Sequence, residues 1–476
     1  MKKAEDVKKK LAYCRKNFWL DTTKNEQKTA LKFSEGYKRY LSMCKTEREA
    51  IEFTIEELRS KSFVSVEEAA TKPSKLVYRV FKNKALAIAV IGKAPISKGV
   101  NIIGSHLDSP RVDLKQNPLY EDSETKLGIM RTHYYGGIKK YQWMSTPLAL
   151  HGVVIKQNGE RVKVNIGENE LDPVFVMPDL LPHLAQKEQM TKTATEFITA
   201  GQMNVMFNSI PFTDEKTDEI KEAVKLQALA MLHEKYGILE ADLLSAELQL
   251  VPAGKARDGG MDRSFVIGYG QDDRICAYTS IQAIIDVKDL DVNKTSVIFL
   301  FDKEEVGSDS VGGATGIFFE DFIADLLKLK HEDISGNNLR KTLINSAVIS
   351  ADVNAGINPN YPAVHEAQNA VHLGYGVGIC KYTGARGKGG SNDATSEFMA
   401  RITRIFEDEK VNWQVGSLGK VDEGGGGTIA KFLAMHGCDV IDVGPGLLGM
   451  HSLYEMASKA DVYSTYKAYK AFFVKN

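Results

Sequence analysis

Residues 297–308 read VIFLFDKEEVGS, an uninterrupted apolar run that ends in four charged side chains. A short run of β-branched and aromatic residues with polar ends is typical of a strand that is buried on both faces. The pattern returns, with amphipathic helical stretches in between, at residues 85–92, 100–104, 347–350 and 439–443. Strands that alternate with helices predict an α/β fold, in which helices flank a mostly parallel sheet.

The stretch from residue 112 to residue 254 has a different pattern. It predicts short strands at 153–156, 162–166 and 174–177, and one long helix at 218–236. We interpret it as a β-rich domain with a thin core of its own, inserted between the two parts of the α/β domain, residues 1–111 and 255–476. Residues 2–61 are rich in Lys and Glu and carry apolar residues at helical spacing, which predicts helices at the N-terminus.

The composition excludes several classes of protein. The chain has 476 residues, with 61 basic and 62 acidic side chains, so no charge excess favours nucleic acid or a membrane surface as a partner. The apolar runs are far shorter than the roughly 20 residues of a membrane-spanning helix. The N-terminal MKKAEDVKKK is not followed by the apolar segment of a signal peptide. We therefore expect a cytoplasmic protein.

The five cysteines are scattered and include no CxxC pair. They predict reduced thiols and argue against a cysteine zinc site. Any bound metal would therefore be held by His, Asp and Glu.

Polar motifs follow several of the predicted strands, at the edge where open α/β sheets bind ligands. In SHLDSPR, residues 105–111, His106 ends a strand and Asp108 lies two residues further on. An imidazole here can ligate zinc through one nitrogen, while a carboxylate accepts a hydrogen bond from the other and orients the ring. Taken alone, the motif is equally an ordinary polar pair.

Two further motifs carry neighbouring carboxylates. Asp272 and Asp273 stand in GQDDR, and one of them can bridge two metal ions or, alternatively, belong to a salt-bridged turn. Glu304 and Glu305 follow the strand at 297–301, and neighbouring side chains at a strand end point in different directions. One glutamate can therefore ligate a metal while the other acts as a general base.

The last two motifs complete a ligand set. Asp352 follows the strand at 347–350, and His451 ends a glycine-rich loop after the strand at 439–443. Together the motifs offer two imidazoles and several carboxylates, a set suited to zinc, with Glu304 left as the base. Two metals at such a site polarise a carbonyl and activate water at neutral pH.

The chain closely resembles the aspartyl aminopeptidase family of dinuclear-zinc metallo-aminopeptidases, which includes vacuolar aminopeptidase I. The resemblance covers nearly the whole chain and is carried by SHLDSPR, GQDDR, DKEEVGSDS, SADVNAG, VDEGGGGT and MHS in order. It implies an α/β catalytic domain of the zinc exopeptidase type, interrupted by a β-rich dimerisation domain, and a tetrahedral homododecamer built from dimers. It also implies an enzyme that removes the N-terminal residue of peptides.

The resemblance further implies a role for each site residue. Asp273 would bridge two zinc ions, which cobalt or manganese can replace, and Glu304 would be the general base with Asp108 as the orienting carboxylate. The full set of implied metal ligands is His106, Asp273, Glu305, Asp352 and His451.

Two residues are candidates for substrate binding on the same resemblance. His183, in the inserted domain, is similar to a histidine that reaches toward a neighbouring subunit's active site, and some descriptions treat it as a third zinc histidine. Lys388 is the lysine nearest to one that relatives use to select acidic substrates, but it is out of register. The motif GQDDR is more similar to that of the vacuolar branch, which prefers neutral residues. The preferred N-terminal residue of the substrate is therefore expected to be acidic or neutral.

Two alternatives to an aminopeptidase remain at this stage. A deacylase or carboxypeptidase uses the same dinuclear chemistry, and a self-assembling scaffold would carry a vestigial site. The intact set of ligands and the base argue against the scaffold.

Overall fold

The computed structural model describes residues 4–213, 220–387 and 389–476. Within these ranges the central sheet has nine strands, and the four at its centre are parallel. Antiparallel pairs occur toward both edges, so the sheet is mixed around a parallel core. In spatial order the strands are Val64–Ser65, Leu76–Phe81, Ala85–Val90, Ser296–Phe301, Asn101–His106, Ala347–Ser350, Asp439–Gly444, Val377–Cys380 and Trp413–Val415.

Both faces of the central sheet are buried, as the continuous apolar runs predict. Successive residues of a strand point to opposite faces. Ile298 and Leu300 therefore lie in one hydrophobic cluster, while Phe299 and Phe301 lie in the other. Helices cover both clusters, and the fold is α/β.

Helices occupy the predicted N-terminal segment from residue 4 onward, residues 2 and 3 lying outside the described ranges, and also the intervals between the strands. The helix Glu47–Ser60 begins with a capping box between Thr46 and Glu49, which satisfies the first backbone N–H groups. The other helices of the described residues are Ala4–Leu11, Phe18–Asp21, Lys24–Met43, Val66–Thr71, Ala223–Tyr236, Gln271–Val287, Phe318–Leu329, Gly336–Ile344, Ser396–Asp408, Ala430–Ala434 and Lys459–Lys475.

A second, antiparallel sheet occupies the stretch that the sequence interprets as an insertion. Six strands of the described chain form it, in the spatial order Arg161–Ile166, Leu148–Ile155, Glu247–Pro252, Arg111–Glu121, Gly128–Tyr135 and Val205–Asn208. Its first strand begins directly after the SHLDSP segment, so the second sheet starts beside the end of a central strand.

The structure corrects three details of the predicted insertion. The expectation of a thin core is wrong, because the second sheet packs on a hydrophobic cluster that is formed mostly by residues of this stretch and includes the fully buried Trp143. Residues 174–177 form only isolated bridges at Phe175 and Val176. The helix predicted from residue 218 is Ala223–Tyr236, and residue 218 lies outside the described residues.

A third sheet packs near the carboxyl ends of the central strands. Its five strands, counted over the described ranges, are Arg257–Gly259, Phe265–Gly268, Glu455–Ser458, Gly446–Leu448 and Asn354–Ala355. It carries the loops that hold Asp272 and His451. Among the helices that the structure describes, none is long and apolar enough to cross a membrane.

Candidate metal centre

The predicted site residues meet at the carboxyl ends of the parallel central strands. His106 is the last residue of Asn101–His106, and Glu304 follows the neighbouring strand Ser296–Phe301 after a two-residue turn. Asp352 follows Ala347–Ser350 on the other side of His106. Because parallel strands end at the same edge, residues far apart in sequence face one another.

The carboxylate of Asp272 lies between the two histidines. Its Oδ1 is 3.3 Å from Nε2 of His106, and its Oδ2 is 3.2 Å from Nε2 of His451. Both ring nitrogens thus point at the same side chain. This geometry is what a carboxylate that bridges two metal ions requires.

The structure places Asp272, rather than the expected Asp273, between the two histidine rings. Oδ2 of Asp273 accepts the backbone N–H of His106 at 3.3 Å. Among the described residues, the aspartate whose carboxylate contacts the imidazole of His451 is Asp272 and not Asp273. The backbone explains the difference: Asp272 is extended, with φ −79° and ψ 109°, whereas Asp273 has φ −114° and ψ 28°. The two side chains therefore leave the chain in different directions.

The remaining predicted ligands surround the Asp272 carboxylate. Oε2 of Glu305 is 3.5 Å from Nε2 of His451. Nε2 of His106 is 3.9 Å from Oε2 of Glu304 and 4.0 Å from Oδ1 of Asp352. The site thus has two halves, one around each histidine, with Asp272 shared.

Asp108 acts on the site through hydrogen bonds. Its backbone carbonyl accepts from Nδ1 of His106 at 3.0 Å, and since a carbonyl only accepts, Nδ1 carries a proton and Nε2 faces Asp272. Its carboxylate accepts the backbone N–H groups of Glu304 and Glu305, each at 3.2 Å. Asp108 therefore positions one histidine and both glutamates.

Glu455 is a further positioning residue, which the sequence analysis missed. Its Oε1 accepts the backbone N–H of His451 at 2.8 Å, and its Oε2 accepts the backbone N–H of Asp272 at 3.1 Å. In the structure Glu455 is almost fully buried at the start of a strand, whereas the sequence shows only a glutamate four residues after His451 and does not reveal its partners.

The site concentrates buried carboxyl groups. Burial raises the pKa of Glu305 and Asp352 well above their usual range, and nearby Asp272 and Asp273 add to the respective shifts. Burial also acts to raise the pKa of Asp272, but the neighbouring imidazoles of His106 and His451 outweigh it and lower that pKa. Asp272 is thus held as an anion, while its acidic neighbours resist ionisation.

The donor set fits a metal ion. Two groups of side chains bring one possible ligand atom each to within 4.8 Å of the others, namely His106 with Asp272 and Glu305, and His106 with Asp273 and Asp352. Asp272 Oδ1, Asp273 Oδ1 and Glu305 Oε1 are buried and lack a hydrogen-bond partner within the described part of the chain. Buried carboxylate oxygens are normally paired or bound to a metal, so these atoms fit a cation. Imidazole and carboxylate together suit zinc.

One of the two candidates for substrate binding, His183, lies outside this cluster. His183 is exposed, in a turn of the segment that precedes the π-helical residues Gln186–Met190. Its side chain is available to a neighbouring molecule. Lys388 lies outside the described residues.

An α/β sheet that ends in two oriented histidines around one ionised carboxylate, with a ring of further carboxylates, is the construction of a metal-dependent hydrolase. The chain matches the family model of the aminopeptidase I zinc metalloproteases (M18) over residues 40–473. It is 48% identical over 462 residues to a probable M18 family aminopeptidase 1 from Clostridium acetobutylicum. The match covers 96% of this chain and 97% of the relative.

Solved structures agree with the sequence relatives. An M18 family aminopeptidase from Thermotoga maritima superposes with a TM-score of 0.91 at 44% identity, covering 98% of this chain and 100% of that one. The mApe1 dodecamer of Saccharomyces cerevisiae shares the fold at 22% identity, with a TM-score of 0.73 and coverage of 94% and 97%. The chain belongs to the M18 family, which confirms the resemblance. It is a zinc-dependent aminopeptidase that hydrolyses peptide bonds.

Proposed function

We propose that the enzyme removes one acidic or neutral residue at a time from peptide N-termini, with Glu304 as the general base. The observation that carries this proposal is the Asp272 carboxylate between His106 and His451, with Glu304 beside it. Such a centre can hold a scissile carbonyl, and an adjacent base can activate water.

In this proposal the ligands would form two half-sites, one for each of two zinc ions, which cobalt or manganese could replace. His106 and Asp352 would belong to one half-site, His451 and Glu305 to the other, and Asp272 to both. The distances around each Nε2 support this assignment. When bound, the ions would polarise the scissile carbonyl and stabilise the charge that develops on its oxygen.

Glu304 is suited to move the proton. Burial raises its pKa to about 7, and neighbouring carboxylates including Asp272 contribute, so Glu304 changes protonation near neutral pH. A general base works best with a pKa near the operating pH. Glu304 would accept a proton from the attacking water and pass it to the leaving amine, while Asp108 holds its backbone N–H.

A cavity of about 410 Å³ beside Asp352 is the proposed pocket for the N-terminal side chain of the substrate. Ile379, Met399 and Leu418 form its apolar wall, and Lys381 and Arg386 add positive charge. The apolar wall supports neutral side chains and the basic groups support acidic ones. His183 is proposed to contact substrate in a neighbouring subunit, with a third metal histidine as the alternative, and Lys388 remains a predicted substrate contact.

Metal removal tests the proposed function. Dialysis against a chelator is expected to abolish cleavage of aminoacyl chromogenic substrates, and added zinc, cobalt or manganese to restore part of it, because the only activating groups in the proposal are the metals and Glu304. The matched control is each substrate with an acetylated N-terminus, which should resist cleavage. Full activity in metal-free protein would refute the proposal, and rapid cleavage of the blocked substrates would indicate a deacylase.

We also propose that residues 112–254, which contain most of the second sheet, form a dimerisation domain within a tetrahedral homododecamer. Large apolar side chains are exposed along one segment of it, at Leu171, Leu180, Leu181, Leu184 and Met190. Exposed apolar patches mark interaction surfaces. The dodecamer described for the S. cerevisiae relative, which shares the fold, supports the assembly. A cytoplasmic location remains a prediction.

The assembly is expected to sediment as a particle much larger than one chain of 52.6 kDa. Leu181→Glu combined with Leu184→Glu should shift sedimentation toward smaller species, because a charge would be buried in the contact. If His183 completes a neighbour's site, these species should lose activity while retaining zinc. Leu239→Glu, an exposed leucine outside the patch, is the control. A fully active monomer would contradict the proposal.

A further inference from the structure

The second sheet contributes a short segment directly to the metal centre of the same chain. Tyr135 ends the strand Gly128–Tyr135, and its partner across the sheet is Arg111, three residues after Asp108. The strand pairing therefore brings residues 135–137 against the turn that carries Asp108. We call residues 135–137 the contact segment.

Tyr135 holds the orienting carboxylate. Its hydroxyl donates to Oδ2 of Asp108 at 2.7 Å, in a buried environment. The same Oδ2 accepts the backbone N–H of Glu305, and Oδ1 accepts that of Glu304. Of these three bonds, the one from Tyr135 is the shortest and the only one that comes from the second sheet. The guanidinium of Arg111 lies 3.9 Å from the centre of the Tyr135 ring and keeps it in place.

The next two residues reach the other half-site. The carbonyl of Gly137 accepts from Nδ1 of His451 at 3.0 Å, so Nδ1 carries the proton and Nε2 faces Asp272. Both positions favour glycine. Gly136 has a φ of +75°, and a Cβ on Gly137 would lie 3.2 Å from Nδ1 of His451.

The contact segment thus acts on both histidines, on His106 through Asp108 and on His451 through a backbone carbonyl. Groups that orient metal-ligating imidazoles fix the tautomer and the ring direction, and their loss weakens metal binding. We propose that Tyr135 is a positioning residue of the metal centre, and that the contact segment makes the geometry of this centre depend on the second sheet. The inference rests on the proposed function, in which the two histidines are metal ligands.

Tyr135→Phe tests the inference, because it keeps the ring against Arg111 and removes only the hydroxyl. Zinc affinity, measured by competition with a chromogenic chelator, is expected to fall by roughly 10–100-fold, the usual effect of losing such a partner. At saturating zinc, kcat should fall while KM stays near the wild-type value, since Asp108 positions Glu304. The thermal unfolding temperature of the metal-free Tyr135→Phe variant, compared with that of the metal-free wild-type protein, checks that the fold is intact.

Tyr120→Phe is the matched control. Tyr120 lies on the neighbouring strand and stacks under Arg131 at 4.5 Å, in the same kind of cation–π contact. The Tyr120→Phe substitution should leave zinc affinity unchanged. Gly137→Ala is the second variant, expected to displace His451 and to weaken zinc binding as well.

The inference would be overturned if Tyr135→Phe kept the zinc affinity and kcat of the wild-type enzyme. It would also be overturned if Tyr135→Phe lost no more zinc affinity than Tyr120→Phe. Either result would leave the zinc dependence of the wild-type enzyme untouched. Failure of the proposed function would instead appear in the wild-type protein, as activity without metal.

Discussion

Glu304→Gln is expected to lower kcat by roughly 10²–10⁴-fold while the enzyme keeps its zinc. Glutamine preserves the size and polarity of the side chain but has no basic oxygen. The loss corresponds to about 3–5 kcal/mol of activation free energy. Glu304 is the more accessible of the two glutamates, with 17% of its side chain exposed against 4% for Glu305, so it can meet a water molecule beside the substrate.

Glu305→Gln is the matched comparison, since it makes the same chemical change one residue further along. Oε1 of Glu305 is buried without a hydrogen-bond partner among the described residues, and Oε2 faces His451. We therefore expect this variant to lose zinc. Metal content and turnover, measured side by side, decide the roles: loss of zinc by Glu304→Gln, or near-normal turnover, would show that Glu304 is not the base.

Much of the catalytic scaffold could be predicted from the sequence because it depends on local pattern. The apolar run at 297–301 must be buried on both faces, and the structure has the strand Ser296–Phe301 with all six residues buried. The position of His106, Glu304 and Asp352 at or just beyond strand ends then follows from the way parallel strands align. Each of these expectations needs only the residues of one segment.

The rest depends on contacts between distant segments. Glu455 bonds to the backbone of Asp272, 183 positions away, and Tyr135 bonds to Asp108, 27 positions away. No periodicity or spacing encodes such pairs. The thin core expected of the insertion is wrong for a related reason, because Trp143, Leu148 and Leu250 come together only when the second sheet forms.

The choice between Asp272 and Asp273 could not be made from the sequence either. Both are aspartates, both follow Gly270 and Gln271, and both are fully buried or nearly so. Only the backbone dihedral angles decide which carboxylate faces the two histidines. The role of each therefore needs a test on the protein.

Asp272→Asn is expected to weaken zinc binding by more than the roughly 10–100-fold that changes outside the ligand shell cause. An amide has one oxygen and one NH₂ group, and the NH₂ group cannot ligate a cation, so one half-site loses its shared ligand.

Asp273→Asn should have a smaller effect, within that 10–100-fold range. Its amide oxygen can still accept the backbone N–H of His106, the bond that Asp273 Oδ2 makes at 3.3 Å. Burial also raises the pKa of Asp273 well above its usual range, so a neutral side chain is tolerated there. Zinc per chain and kcat of both variants, at equal total zinc, measure the difference. A larger loss of zinc from Asp273→Asn than from Asp272→Asn would return the bridging role to Asp273.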